Sequence, residues 1–117
     1  MEHDEFLGLQ RDAHAVVLPS AWHEPLSRVV LETMGLGAPV IAWDCGGTSE
    51  MIAHGANGFL IQETTDLAAA LASLESEETR QRIGTAAHAR VREQFCQEAV
   101  YPMMVATYAV AVQKVAR

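Results

Sequence analysis

Ala15-Val16-Val17-Leu18-Pro19-Ser20-Ala21-Trp22-His23-Glu24-Pro25-Leu26-Ser27-Arg28-Val29-Val30-Leu31-Glu32 passes from an unbroken apolar stretch, through a turn, into a segment with helical spacing. An apolar run this short, halted by Pro19-Ser20, predicts a parallel-sheet strand buried on both faces. Ser27 predicts the start of the helix, because its hydroxyl can accept from the orphan N–H groups of the first turn. Val29, Val30, Leu31 and Met34 supply a buried face, and Gly35 or Gly37 closes the helix before Pro39. Strand, turn and helix in that order predict an α/β fold, a three-layer Rossmann-like domain on a partial parallel sheet. Open sheets of this kind take ligands where strand ends meet helix starts.

The flanking sequence extends the pattern. Pro39-Val40-Ile41-Ala42-Trp43 reads as a second buried strand, and Phe59-Leu60-Ile61 as a third after the Asn57-Gly58 turn. Asp4 is expected to cap a helix from Glu5 to about Arg11, with Phe6 and Leu9 facing inward. Thr48 is expected to cap a short helix to about Ile52, with Glu50 in its first turn. Thr65 or Asp66 opens an Ala-rich helix from Leu67 to about Leu74. Ser76 caps a longer one, carrying Ile83, Ala87 and Val91 and ending near Phe95. Pro102 stands near the start of a final helix whose Met104, Tyr108, Val112 and Val115 share one face and read as packing residues.

Composition narrows the classes of function. The 117 residues allow one domain at most, and with half of them apolar a core is available. The net charge of −7 argues against nucleic acid, which is gripped by clustered Lys and Arg. Cys45 and Cys96 are too few for a disulfide framework. The sequence has no apolar run of membrane-spanning length and no signal-peptide pattern, so a soluble cytoplasmic chain is expected. The histidines are scattered without ligand spacing, and His23-Glu24 lacks the P-C-x-x-C of the zinc deaminases, so no protein-bound metal is expected. Gly35-Leu36-Gly37 follows a helix rather than a strand and lacks a third glycine, which excludes a dinucleotide fingerprint.

The turn and helix start carry the chemistry. Helix N-termini attract anions, since unpaired N–H groups and the dipole point outward together. A carboxylate beside such a site repels phosphate but accepts hydrogen bonds from sugar hydroxyls. Glu24 on the turn and Glu32 just over one turn into the helix therefore suit a ligand with a central anion and polyol groups on either side, the form of a nucleotide sugar. The same spacing also allows less. Arg28 and Glu32 stand at i and i+4, so Glu32 can be a surface ion pair alone, and Glu24 a solvated turn residue. Gly46-Gly47 lets backbone come close either to ligand or to a neighbouring loop.

Val17-Leu18-Pro19-Ser20, Glu24-Pro25-Leu26-Ser27, Glu32, Gly37-Ala38-Pro39-Val40-Ile41-Ala42, Gly46-Gly47-Thr48-Ser49-Glu50 and Gly55-Ala56-Asn57-Gly58-Phe59-Leu60 together resemble the family 4 glycosyltransferases, retaining enzymes of the GT-B fold. The resemblance covers nearly the whole chain. It implies that residues 1–117 form the C-terminal part of a donor-binding domain. The acceptor-binding N-terminal domain would be missing, and this stretch alone would be inactive. It places the family's E-x7-E pair on Glu24, facing the transferred sugar as catalytic residue, and Glu32, facing the ribose. It puts Pro25, Leu26, Ser27, Arg28 and Val29 at sugar and diphosphate, and Gly46 and Gly47 near the donor sugar. The substrate implied is a nucleotide diphosphate sugar, with no separate cofactor. Many members have Phe-Gly where this chain has Leu26-Ser27, and Pro where it has Ser49. A second expectation is a non-catalytic binding or assembly module whose truncated sheet edge pairs with another copy as a homodimer. Sugar-nucleotide epimerisation on the same fold fits the E-x7-E pattern less well.

Overall fold

The computed structural model describes residues 2–19 and 27–116. The expectations for His23, Glu24, Pro25 and Leu26 fall outside the described residues. The elements run α1 (His3–Asp12), β1 (Val16–Leu18), α2 (Arg28–Gly35), β2 (Val40–Trp43), α3 (Thr48–Met51), β3 (Phe59–Ile61), α4 (Thr64–Ser73), α5 (Glu77–Gln94) and α6 (Gln97–Ala116). The strands pair in parallel in the order β1-β2-β3, with Val16 opposite Val40 and Ile41 opposite Phe59.

Alternation along β2 builds the core on two faces. Val40 and Ala42 pack with Val30 and Met34 of α2, Met51 and Ile52 at the end of α3, and Ala87 of α5. Ile41 packs on the opposite face with Phe59, Ile61, Ala70 and Leu74, and Ile83 of α5 closes that cluster. Helices thus lie on both sides of the sheet, the three-layer arrangement expected from the sequence.

The helix ends follow local chemistry. Ser27 caps α2, its hydroxyl accepting from the Val30 N–H at 3.4 Å. The other end is a Schellman closure: Gly37 N–H donates to the Met34 carbonyl, and Ala38 N–H to that of Thr33. Gly37 has φ +76°, which L side chains resist. Ser76 caps α5 as expected. At α1, α3 and α4 the cap differs from the expected one. Glu2, not Asp4, caps α1, in a reciprocal box with Glu5. Gly47, not Thr48, precedes α3. Glu63 caps α4 in a box with Asp66, whose carboxylate accepts from the Gln62 and Glu63 N–H groups at 2.9 Å each. Those bonds hold the Asp66 carboxyl below its ordinary pKa.

Three expectations about packing are corrected. Val17 is 38% exposed and Val16 and Leu18 are half-buried, so β1 is not buried on both faces. Among the described residues it is an edge strand, paired with β2 alone. The inner face of α1 is not Phe6 and Leu9, which are 37% and 59% exposed, but the polar Gln10, at 3%. Gln10 is held there by a hydrogen bond from its Nε2 to Thr33 Oγ1 at 2.7 Å, and the Thr33 hydroxyl donates to the Val29 carbonyl at 2.8 Å. Finally, Met104, Tyr108 and Val112 of α6 do not pack. Every residue from Tyr101 to Lys114 is exposed.

Thr33→Val keeps the shape of the side chain but leaves the Gln10 amide buried without its acceptor. An orphaned buried donor costs about 1–3 kcal/mol. Urea unfolding of Thr33→Val should show that loss, and Gln10→Leu/Thr33→Val should recover most of it.

Candidate functional site

Parallel pairing brings the carboxyl ends of β1, β2 and β3 to one rim. The segment after β1 leads to Ser27 and α2, the segment after β2 is 44–47, and Gln62 follows β3. Asp44 is tied into this rim twice: its N–H donates to the Ile61 carbonyl at 2.9 Å, and its Oδ2 accepts from Gln62 Nε2 at 3.2 Å. Gly46 is exposed with φ +56°, and Gly47 is buried as the cap residue of α3. Positive φ at Gly46 turns the chain from β2 into α3 within four residues of Trp43.

At the start of α2, Arg28 is exposed and Val29 half-buried. Their N–H groups precede the first intrahelical donor, the Leu31 N–H, which bonds the Ser27 carbonyl. The Ser27 hydroxyl oxygen accepts from the Val30 N–H, so it stands at the rim as the cap of α2. Glu32 is the site residue whose surroundings are described most fully. Its side chain is 19% exposed, neither sealed nor free. Arg28 Nε donates to Glu32 Oε1 at 2.8 Å, and His3 Nε2 of α1 lies 3.6 Å from the same oxygen.

The i,i+4 pair foreseen from spacing is therefore present. The contact with His3 was not foreseen, because it joins residues far apart in sequence and depends on how α1 docks on α2. Arg90 was missed in the same way. Its Nη2 donates to the Glu50 carbonyl at 2.8 Å, and its guanidinium lies 5.7 Å from the centre of the Phe95 ring. This ties α3, behind the Gly46-Gly47 turn, to α5. Of the expected site residues, Ser27, Arg28, Val29, Gly46 and Gly47 lie in segments leaving the carboxyl ends of neighbouring strands, with Glu32 further along α2. Glu24, Pro25 and Leu26 lie outside the described residues. Among the described residues, no three His, Cys, Asp or Glu side chains gather as metal ligands. No helix among them is long and apolar enough to cross a membrane.

A parallel sheet layered by helices, with a glycine turn and a capped helix at its carboxyl rim, defines the class as an α/β domain of the kind found in GT-B glycosyltransferases. The chain belongs to the glycosyl transferases group 1 family, whose family model matches residues 1–90. It is 35% identical over 98 residues to glycogen synthase of Mycobacterium tuberculosis, a match covering 81% of this chain and 23% of that protein. The Anabaena HepE structure in complex with UDP-glucose is similar at TM-score 0.77 and 30% identity, over 87% of this chain and 29% of that one. Sucrose-phosphate synthase of Thermosynechococcus elongatus is similar at TM-score 0.80 and 28% identity, over 94% and 28%. The chain spans about a quarter of the length of the curated relatives it matches.

Proposed function

We propose that residues 1–117 form the C-terminal part of the donor-binding domain of a family 4 glycosyltransferase, one that transfers a sugar with retention from a nucleotide diphosphate sugar. Glu32 carries the reading: a half-buried carboxylate on the helix that starts at the carboxyl rim of a parallel sheet. The similarity to HepE, whose structure holds UDP-glucose, supports it.

In this reading Glu32 accepts from the ribose hydroxyls, and the Leu26 to Val29 amides face the diphosphate. Glu24 orients the sugar, and the Gly46-Gly47 turn lets backbone approach it. The bond that breaks joins the anomeric carbon to a diphosphate oxygen, which leaves with the electron pair. Negative charge then grows on the diphosphate and positive charge on the sugar. Fixed N–H dipoles stabilise the first and the Glu24 carboxylate the second, by preorganised electrostatics and positioning. The acceptor site would come from the N-terminal domain, and further cations for the diphosphate from the preceding part of the donor-binding domain. The stretch alone binds donor without turning it over, in the cytoplasm and with no separate cofactor.

Titrating the chain with UDP-glucose should give saturable amide shifts at Ser27 to Glu32 and at 44–47, which glucose alone does not reproduce. Shifts confined to the opposite end of the sheet, or no saturation, would refute the assignment. The second reading, a non-catalytic assembly module, rests on β1 being an edge strand with Val17 38% exposed. It predicts dimers through that edge and no effect of UDP-glucose.

A further inference from the structure

The loop that follows β2 is held at both ends. Asp44 pins one end to β3 through its bonds to Ile61 and Gln62. The other end is held from α3, where the Glu50 N–H donates to the Gly47 carbonyl at 3.0 Å. α3 has four residues, too few to be stable unaided. Met51 and Ile52 fix its far end in the core, but Ser49 and Glu50 are exposed. An open cleft of about 570 Å³ has Ser49 and Glu50 on one wall and Arg90, Phe95 and Met103 on the other. On this side α3 and α5 are joined across the cleft by Arg90, whose Nη2 donates to the Glu50 carbonyl at 2.8 Å. A charged donor makes that bond stronger than one between neutral groups. The guanidinium is steadied in turn, because it lies 5.7 Å from the centre of the Phe95 ring, within range of a cation–π attraction. Phe95 is half-buried and packs on the cluster that holds Val30, Met34 and Ala87. Arg90 therefore carries the position of the core out to Glu50.

We propose that Arg90 is a positioning residue for the sugar end of the donor site. By fixing Glu50 it holds Gly47, and so sets how closely the Gly46-Gly47 backbone stands to the transferred sugar. This deepens the donor-site reading and rests on it. Arg90 acts at a distance, through two hydrogen bonds in series, Arg90 to Glu50 and Glu50 to Gly47. The nucleotide end is built separately. Ser27, Val29 and Glu32 stand on the segment that follows β1, and among the described residues no hydrogen bond links them to Arg90. Loss of Arg90 is accordingly felt by the sugar and not by the nucleotide, whereas a residue needed only for the fold would weaken both.

Arg90→Ala is compared with Arg90→Lys, which keeps a cation able to donate to Glu50 but lacks the planar face. In the ligand-free chain, hydrogen exchange of the Glu50 amide should quicken about tenfold in Arg90→Ala, the effect of losing one charged bond, with the Ile61 amide unchanged. Calorimetry should find UDP-glucose binding weakened about tenfold by Arg90→Ala and UDP binding by less than about twofold, and Arg90→Lys should recover most of the difference. Circular dichroism checks the fold of each variant. If Arg90→Ala does not fold, Phe95→Leu, which removes the ring under the guanidinium, should show the same split at smaller amplitude. Equal losses for UDP and UDP-glucose overturn the proposal, as does a Glu50 amide that exchanges at its original rate. An unaltered chain that binds neither ligand, while Arg90→Ala still quickens the Glu50 amide, is a different failure. The brace then exists, but the donor-site reading falls and the proposal with it.

Discussion

Gly84→Ala is expected to cost about 3 kcal/mol of stability, the upper end for overpacking. α5 crosses the Schellman closure of α2 so closely that a Cβ at Gly84 would stand 2.0 Å from the Gly37 carbonyl oxygen and 3.0 Å from its carbon. Both atoms are backbone and cannot rotate aside, so either α5 lifts from α2 or the closure deforms. Either movement disturbs Val30, Met34 and Ala87, which meet in the core beneath. Thermal unfolding should shift down by about 10 °C or more. Two other glycines serve as controls. Gly37→Ala meets Gly84 O at an ordinary 3.6 Å and is penalised by its φ of +76°, a cost of about 1–2 kcal/mol. Gly8→Ala, within α1 and with nothing within 4 Å, should stabilise by about 0.5–1 kcal/mol. Equal losses at Gly84 and Gly37 would mean that the helix crossing is looser than described.

Glu32→Ala is expected to weaken UDP and UDP-glucose binding alike, by about ten- to a hundredfold. Both ligands carry the ribose, and a charge-assisted hydrogen bond contributes about 1.5–3 kcal/mol. Glu32→Gln keeps an acceptor and should fall between the two. Arg28→Ala separates this role from the ion pair. It removes the Arg28–Glu32 contact, worth a few tenths of a kcal/mol in a helix, but leaves the carboxylate and the Arg28 N–H in place. Uridine, which has the ribose and no phosphate, should therefore bind Arg28→Ala as it binds the unaltered chain, and lose its affinity in Glu32→Ala. If calorimetry finds Glu32→Ala and Arg28→Ala indistinguishable for uridine, Glu32 is a helix-surface residue and the ribose lies elsewhere.

What the sequence disclosed reflects how local each signal is. β2 and β3 are short apolar runs between turn residues, and both form where those runs stand. Ser27 and Ser76 cap helices because a hydroxyl one residue before the first turn needs no distant help. The caps at α1 and α4 eluded the pattern because Glu2 and Glu63 fill them with longer carboxylates, each in a box with an acid three residues on. Tertiary context decided the rest. The burial of Gln10 depends on Thr33, and the exposure of Val17 on β1 being an edge. The exposure of α6 from Tyr101 to Lys114 depends on no other described element lying over it. In the candidate site, Ser27 and the Gly46-Gly47 turn could be placed from their neighbours in sequence. The approach of His3 to Glu32 and the brace from Arg90 to Glu50 could not, since each needs two helices to be docked first.

Three separate loops, each mounted on its own strand of a sheet whose interior is indifferent to them, make the rim a set of interchangeable fittings. On the donor-site reading proposed above, residues 44–47 would be exchangeable to admit a different hexose while α2 kept the part of the donor common to all. Descendants of one scaffold would then diversify their sugar without re-evolving their grip on the nucleotide.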